Sequence, residues 1–240
     1  MLRWFAAAAA GLVLLAGCTS RTSGDADGGS AGQEQGQEQE PGSGPEDLAP
    51  DLSRFEPSED NQDPSEDIPD VEVVEYAQGL HTLSPTQRVD YDRSPPFGGA
   101  HAQVWADCQG TVYDEPVRTE QMVHSLEHGT VWIAYNADDL NDADVSDLAD
   151  KVEGQPYLML SPWPDLDRPI SLQSWGHQLK VQSVDDPRIG QFIAALRENP
   201  YTTPEPGARC DSQDTGFDVT DPPAFEFAAP GPDAMPVDGS

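Results

Sequence analysis

The chain predicts an α+β protein: a single compact domain with a mixed or antiparallel sheet and two to three helices, flanked by disordered acidic segments. Three observations carry this expectation. Strand-like and helix-like patterns mix without strict alternation. The apolar residues gather in the middle of the 240-residue chain, over about 140 residues, a length suited to one domain with one core. Both flanks are rich in Gly, Pro, Ser, Asp, Glu and Gln and bury too little surface to offset the entropy of ordering. The expected boundaries are residues 1–17 for a leader, 18–67 for an acidic tether, 68–211 for the domain and 212–240 for a loose acidic tail.

Within the domain the elements follow in order. Val71-Glu72-Val73-Val74-Glu75-Tyr76 reads as a strand, and Arg88 to Tyr91 as a shorter one. Ser94-Pro95-Pro96-Phe97-Gly98-Gly99-Ala100 can only be a turn-rich loop, because two prolines and two glycines leave little else; it delivers His101. A helical pattern opens at Glu115-Pro116-Val117, with proline suited to a first turn. Val117, Met122, Val123 and Leu126 form its apolar side, and Gly129 is a natural stop. Thr130 to Tyr135 reads as a buried strand, Asp144 to Val152 as a helix, and Tyr157 to Leu160 as a strand. Ile170 to Trp175 and His177 to Val181 suit a hairpin around Gly176. A last helix runs from Asp186-Pro187, with Asp186 as cap, to about Glu198; Ile189, Phe192, Ile193 and Leu196 recur at helical spacing. There is no internal repeat, no glycine-rich phosphate loop and no G-x-S-x-G elbow, so no signal for a nucleotide or organic cofactor.

The leader points to an envelope location. Arg3 precedes an apolar run, Trp4 to Ala16, of signal-peptide length and too short to span a bilayer. It ends in Leu15-Ala16-Gly17-Cys18, which resembles a bacterial lipobox. The thiol of Cys18 would take the diacylglycerol, and an amide-linked chain such as palmitate would complete a stable anchor. The alternative is an ordinary signal peptide with a coincidental cysteine. The protein would then sit lipid-anchored on the extracytoplasmic face of the cell membrane. The remaining cysteines, Cys108 and Cys210, most simply pair in an oxidising compartment. Two free thiols or two soft metal ligands are the other readings. The formal net charge of −32, with Lys151 and Lys180 the only lysines, disfavours nucleic acid and anionic headgroups as partners. The lipid, rather than charge, must hold the chain at the membrane.

The chemistry-bearing segment is His124-Ser125-Leu126-Glu127-His128-Gly129. Two imidazoles four residues apart share one helix face, with a carboxylate beside them. Neutral imidazole is the commonest protein ligand for transition metals. His101 from the loop, or His81, would supply a third nitrogen. Three imidazoles suit Cu or Zn with an open fourth position. Glu127 would be a fourth ligand, an orienting partner or, in an enzyme, a general base. Met122 is a candidate soft ligand and equally a core residue. The bland alternative has His124 as a core histidine bonded to a carbonyl, with Glu127 and His128 capping the helix or pairing with Arg118 or Arg168. His177 reads as a hairpin histidine, with a role as ligand the minor alternative. The letters H-x-x-E-H also match the inverted zinc-peptidase motif; Glu198 is the candidate third ligand there, but Asn199-Pro200 ends its helix directly.

Taken together, Val89-Asp90-Tyr91, Pro95 to His101, Tyr113-Asp114-Glu115-Pro116-Val117 and Val123 to Gly129 resemble the domain-of-unknown-function 3105 family of bacterial, largely actinobacterial, secreted or membrane-attached proteins. Leu160-Ser161-Pro162-Trp163-Pro164 and Ser174-Trp175-Gly176-His177 fit its second half, so the resemblance covers about residues 75 to 200. Phe97-Gly98 stand where the family usually has Thr-Ser, and Ala100 where it usually has Pro. The resemblance brings no activity. It implies a domain type and an envelope location, and it points to His101, His124, Glu127 and His128. The sequence therefore leads to an envelope lipoprotein that binds copper or zinc through these residues. A non-catalytic envelope interaction module with structural histidines is the alternative, and a small metal-dependent hydrolase the third reading.

Overall fold

The computed structural model describes residues 51–240; the expected leader, Cys18 and most of the tether lie outside the described residues. The strands are β1 (Glu72–Val73), β2 (Val89–Asp90), β3 (Gln109–Val112), β4 (Val131–Tyr135), β5 (Leu158–Pro162), β6 (Ile170–Ser174), β7 (His177–Val181) and β8 (Met235–Pro236). The helices are α1 (Thr119–Glu127), α2 (Asp142–Val152) and α3 (Arg188–Leu196). Six strands form a mixed sheet in the order β1-β7-β6-β4-β5-β3, and β2 pairs with β8 in a separate parallel ribbon. The α+β class expected from the sequence is the class observed.

The sheet is buried on both faces because its central strands alternate between two cores. Val131, Ile133 and Tyr135 of β4 pack with Leu158, Leu160, Ile170 and Leu172 beneath Leu148 and Val152 of α2 and Phe192 and Leu196 of α3. Trp132, Ala134 and Met159 face the other way, against Met122, Val123 and Leu126 of α1. Period-two alternation in strands of near-continuous apolar character produces this three-layer arrangement. β4 and β5 run parallel, so a crossover must join them, and α2 supplies it. Asn141 starts α2 with a capping box, accepting from the amides of Ala143 and Asp144 while Asp144 accepts in return.

The differences from the sequence reading have local causes. β3 was not expected, because Cys108-Gln109-Gly110 carries no strand signal. Its Gly110 has φ +78° at a register shift against β5, and a Cβ there would lie 2.3 Å from the Gln155 amide nitrogen. α1 begins at Thr119 rather than near Pro116, since Pro116 and Val117 are taken up by the C-terminal segment: Phe225 donates to the Pro116 carbonyl and Val117 bridges Ala224. The two ends of the domain also differ. Residues 53–55 and 64–67 form 3₁₀ turns that bury Phe55 and Pro64. Residues 212–240, read as loose, lie along the domain: Phe217 is buried and Val237 accepts from the Ala100 amide. Proline-rich chain docks here through isolated anchors, which leave no periodic pattern. Among the described residues no helix is long and apolar enough to cross a membrane.

Candidate metal centre

α1 is short, but its last turn is fully specified. Gly129, at φ +96°, donates to the Leu126 carbonyl, and Thr130 donates to Ser125. This is the Schellman pairing that glycine permits at the residue after a helix end. It fixes the direction in which His124, Glu127 and His128 leave the helix. His124 and Glu127, three residues apart, and His124 and His128, four apart, share the face turned away from the sheet core. Met122 lies about 200° round the helix from His124 at 3.6 residues per turn; it is fully buried in the apolar cluster, so it is a core residue.

The other candidate ligands come from two loops: His81 precedes β2, and His101 lies between β2 and β3. His101 and His81 form a parallel β-bridge, with the His101 amide donating to the Leu80 carbonyl and the Thr82 amide to the His101 carbonyl. The bridge sets the two rings side by side, centroids 4.8 Å apart. Gly99, at φ +93°, allows the C-terminal segment to press on this loop: a Cβ there would sit 2.4 Å from Val237. One nitrogen each from His81, His101 and His124 and one oxygen from Glu127 lie within 4.8 Å of one another, a group that could hold a metal ion. His128 stands beside this group, with its Nε2 3.1 Å from Nε2 of His124.

The rings of His101, His124 and His128 are each oriented by a backbone carbonyl. Nδ1 lies 2.8 Å from the Gly99 oxygen in His101, 2.6 Å from Ala102 in His124 and 2.9 Å from Arg209 in His128. A carbonyl only accepts, so each Nδ1 must donate, and in the neutral ring Nε2 is left as a bare lone pair. Carbonyl-oriented imidazoles of this kind are the usual outer support of a metal site. Nε2 of His101 is 2.9 Å from Oε2 of Glu127, yet neither buried atom has a partner in hydrogen-bonding geometry. The other Glu127 oxygen accepts from the Gly79 amide at 2.7 Å.

The electrostatics favour the neutral form of His81, His124 and His128 and the charged form of Glu127. Burial, then His101, pushes His124 down to about 3. Burial and His101 also lower His81, and burial lowers His128 against the opposing pull of the Arg209 carbonyl and Glu205. Burial alone would raise the Glu127 carboxyl; the His101 ring in its protonated form and the Gly79 amide outweigh it and hold the group below its ordinary value.

The remaining candidates lie elsewhere. His177 donates through Nδ1 to the Trp175 carbonyl, and its Nε2 is 2.9 Å from Asp63, as a hairpin histidine. Arg118 pairs with Glu120 and Glu226 rather than with Glu127 or His128. Glu198 is not in the cluster; its amide donates to the Gly129 carbonyl, and its φ of +52° follows the end of α3. Cys108 and Cys210 form a disulfide, so they are not metal ligands. The sequence reading missed Glu205, whose Oε2 is 3.6 Å from Nε2 of His128; Trp105, which the sequence offers as a cleft-lining or a core residue, packs its ring on both His124 and His128. Pro204-Glu205-Pro206-Gly207 signals only a turn, and nothing in it announces a neighbouring histidine.

Fold and cluster together define a class: a single α+β domain with a buried histidine–carboxylate group able to hold a metal ion. The chain belongs to the family described as "Protein of unknown function (DUF3105)", whose model matches residues 82–212, more than half of the sequence. That span contains His101, His124, Glu127, His128, Glu205 and both cysteines of the disulfide; His81 immediately precedes it. No curated protein and no solved structure matches the chain.

Proposed function

We propose that this chain is a membrane-anchored extracytoplasmic lipoprotein that binds one transition-metal ion, copper or zinc, through His101, His124 and Glu127, with His81 or His128 completing the set. The observation that carries the metal reading is the packing of bare acceptors. His101 Nε2 and Glu127 Oε2 stand 2.9 Å apart, buried and off line for a hydrogen bond. Buried acceptors placed face to face repel unless a proton or a metal ion sits between them, and an off-line geometry suits the metal rather than the proton. A nitrogen–oxygen donor set of this composition suits Zn(II) or Cu(II). Burial of His101 and Glu127 leaves no open face for a polymeric substrate, which favours binding over hydrolysis. The lipid anchor is supported by Leu15-Ala16-Gly17-Cys18.

The test is elemental analysis of the full chain purified from its native envelope, beside a His101→Ala/His124→Ala variant of unchanged circular dichroism. One equivalent of metal in the wild type and none in the variant is the expected result. Equal metal content in the two would end the proposal.

A further inference from the structure

We infer that the buried centre is loaded through a second, outer cation position formed by His128 and Glu205, with His124 as the ligand shared between the two positions. The inference rests on the metal-binding reading above and deepens it.

The acceptors follow one another in short steps from an exposed carboxylate to a buried group. The Glu205 side chain is 51% exposed, and its Oε2 is 3.6 Å from Nε2 of His128, which is 3% exposed. Nε2 of His128 is 3.1 Å from Nε2 of His124. His124 then belongs to the inner group with His101 and Glu127, whose side chains are 0% and 1% exposed. The rings cannot swing to carry an ion inward. Nδ1 of His124 and of His128 is held by a carbonyl, and Trp105 packs against both rings, with its own Nε1 donating to the Asp211 carbonyl. The ion must therefore move between fixed lone pairs.

Glu205 is built to accompany that movement. Its amide is fixed to the Glu127 carbonyl at 3.0 Å, which holds its backbone beside the centre while its carboxylate faces solvent. Arg209, four residues further along the chain, turns to Asp211 and to the Gln213 carbonyl instead. A hydrated divalent transition-metal ion is the species this arrangement captures: a carboxylate and an imidazole displace two of its waters. Transfer is then ligand exchange with no change of oxidation state. The bonds to Glu205 oxygen and His128 nitrogen break, the bond to His124 nitrogen persists, and bonds to His101 nitrogen and Glu127 oxygen form as the remaining waters leave.

The experiment mixes the full chain with Co(II) in stopped flow, follows the visible ligand-field band of the bound ion, and measures cobalt content at saturation. Glu205→Gln and His128→Gln are expected to slow the band by about tenfold or more, the range that partners around a metal's ligands contribute, and to slow release into a chelator in parallel. Asp147→Asn, an exposed change of the same charge on α2, should leave both rates alone. Wild-type rates in Glu205→Gln with the band intact would overturn the outer position and leave the inner centre standing. Loss of saturation binding in that variant would also overturn it, by making Glu205 a ligand of the inner ion. Absence of any band and any retained cobalt in the wild type would overturn the metal reading itself. Glu205 is exposed, so its variant keeps the test decisive if His128→Gln fails to fold.

Discussion

Nε2 of His124 and Nε2 of His128 face each other at 3.1 Å while both Nδ1 atoms are committed to carbonyls, of Ala102 and Arg209. Two lone pairs so placed repel unless they share a proton or a metal ion. With His124 a direct ligand of the proposed ion, its removal should cost more than the about 10–100-fold in affinity that loss of an outer partner costs. Titration of His124→Ala with Zn(II) against a competing chromophoric chelator reads this directly; affinity within tenfold of wild type would contradict it.

Gly129→Ala should destabilise the domain. The residue sits at φ +96°, and a Cβ would lie 3.0 Å from the Thr203 hydroxyl oxygen and 3.2 Å from Glu198 Cα. The left-handed backbone alone costs an L side chain about 1–2 kcal/mol, and the contacts add to it. A drop in the urea midpoint with an unchanged slope is the expected outcome.

Glu120 is a buried carboxylate that accepts from Arg88 and from the Val89 amide, with Arg118 beside its other oxygen. Glu120→Ala leaves Arg88 and Arg118, at the joint between α1 and β2, with the half-exposed Glu226 as their only carboxylate partner among the described residues. Breaking a buried pair from one side costs about 3–5 kcal/mol. Chemical denaturation should show a loss of that order, and a loss below about 1 kcal/mol would mean water reaches the arginines in the folded state.

The disulfide joins Cys108 to Cys210 across a sequence separation of 102, next to Arg209 and the loop bearing Glu205. A loop of this length is worth up to about 4.7 kcal/mol in the chain-entropy model. Cys108→Ser/Cys210→Ser should lower stability by about 2–5 kcal/mol and, by freeing the Arg209 carbonyl that orients His128, quicken metal release. Denaturation of wild type with and without reductant should reproduce the difference.

Asp63 caps a 3₁₀ turn and meets His177 at 2.9 Å. Burial opposes its charge, but the hydrogen bonds from His177 and Ser65 prevail and hold its carboxyl below 3.8. A carboxyl depressed on folding contributes stability that is fully present above its unfolded value, near pH 4, and is lost as pH falls through the lower folded value. Asp63→Asn should therefore be less stable than wild type by about 1–2 kcal/mol at pH 6, with the gap closing in acid below pH 4. A gap constant from pH 6 to pH 2 would show that the charge contributes nothing.

Much of the fold was legible because it is written in local periods. The run Val131 to Tyr135, the hairpin at Gly176 and the spacing of Ile189, Phe192 and Leu196 each declare an element, and each is present. β3 and the docked C-terminal segment were not legible, since Gly110 acts through one close approach and Phe217 and Val237 through single contacts. The candidate site divides in the same way. By itself the sequence determined that His124, Glu127 and His128 share a helix face, and that Gly129 ends that helix beneath them, because helical geometry and glycine's freedom act over a few residues. Only the tertiary structure decided that His81 bridges His101 and that Glu205 stands at the rim. It also decided which ring nitrogen is bare, since the carbonyl that orients His128 comes from 81 residues away. Such carbonyls and carboxylates are brought in by burial and non-local hydrogen bonding, which no short-range pattern records.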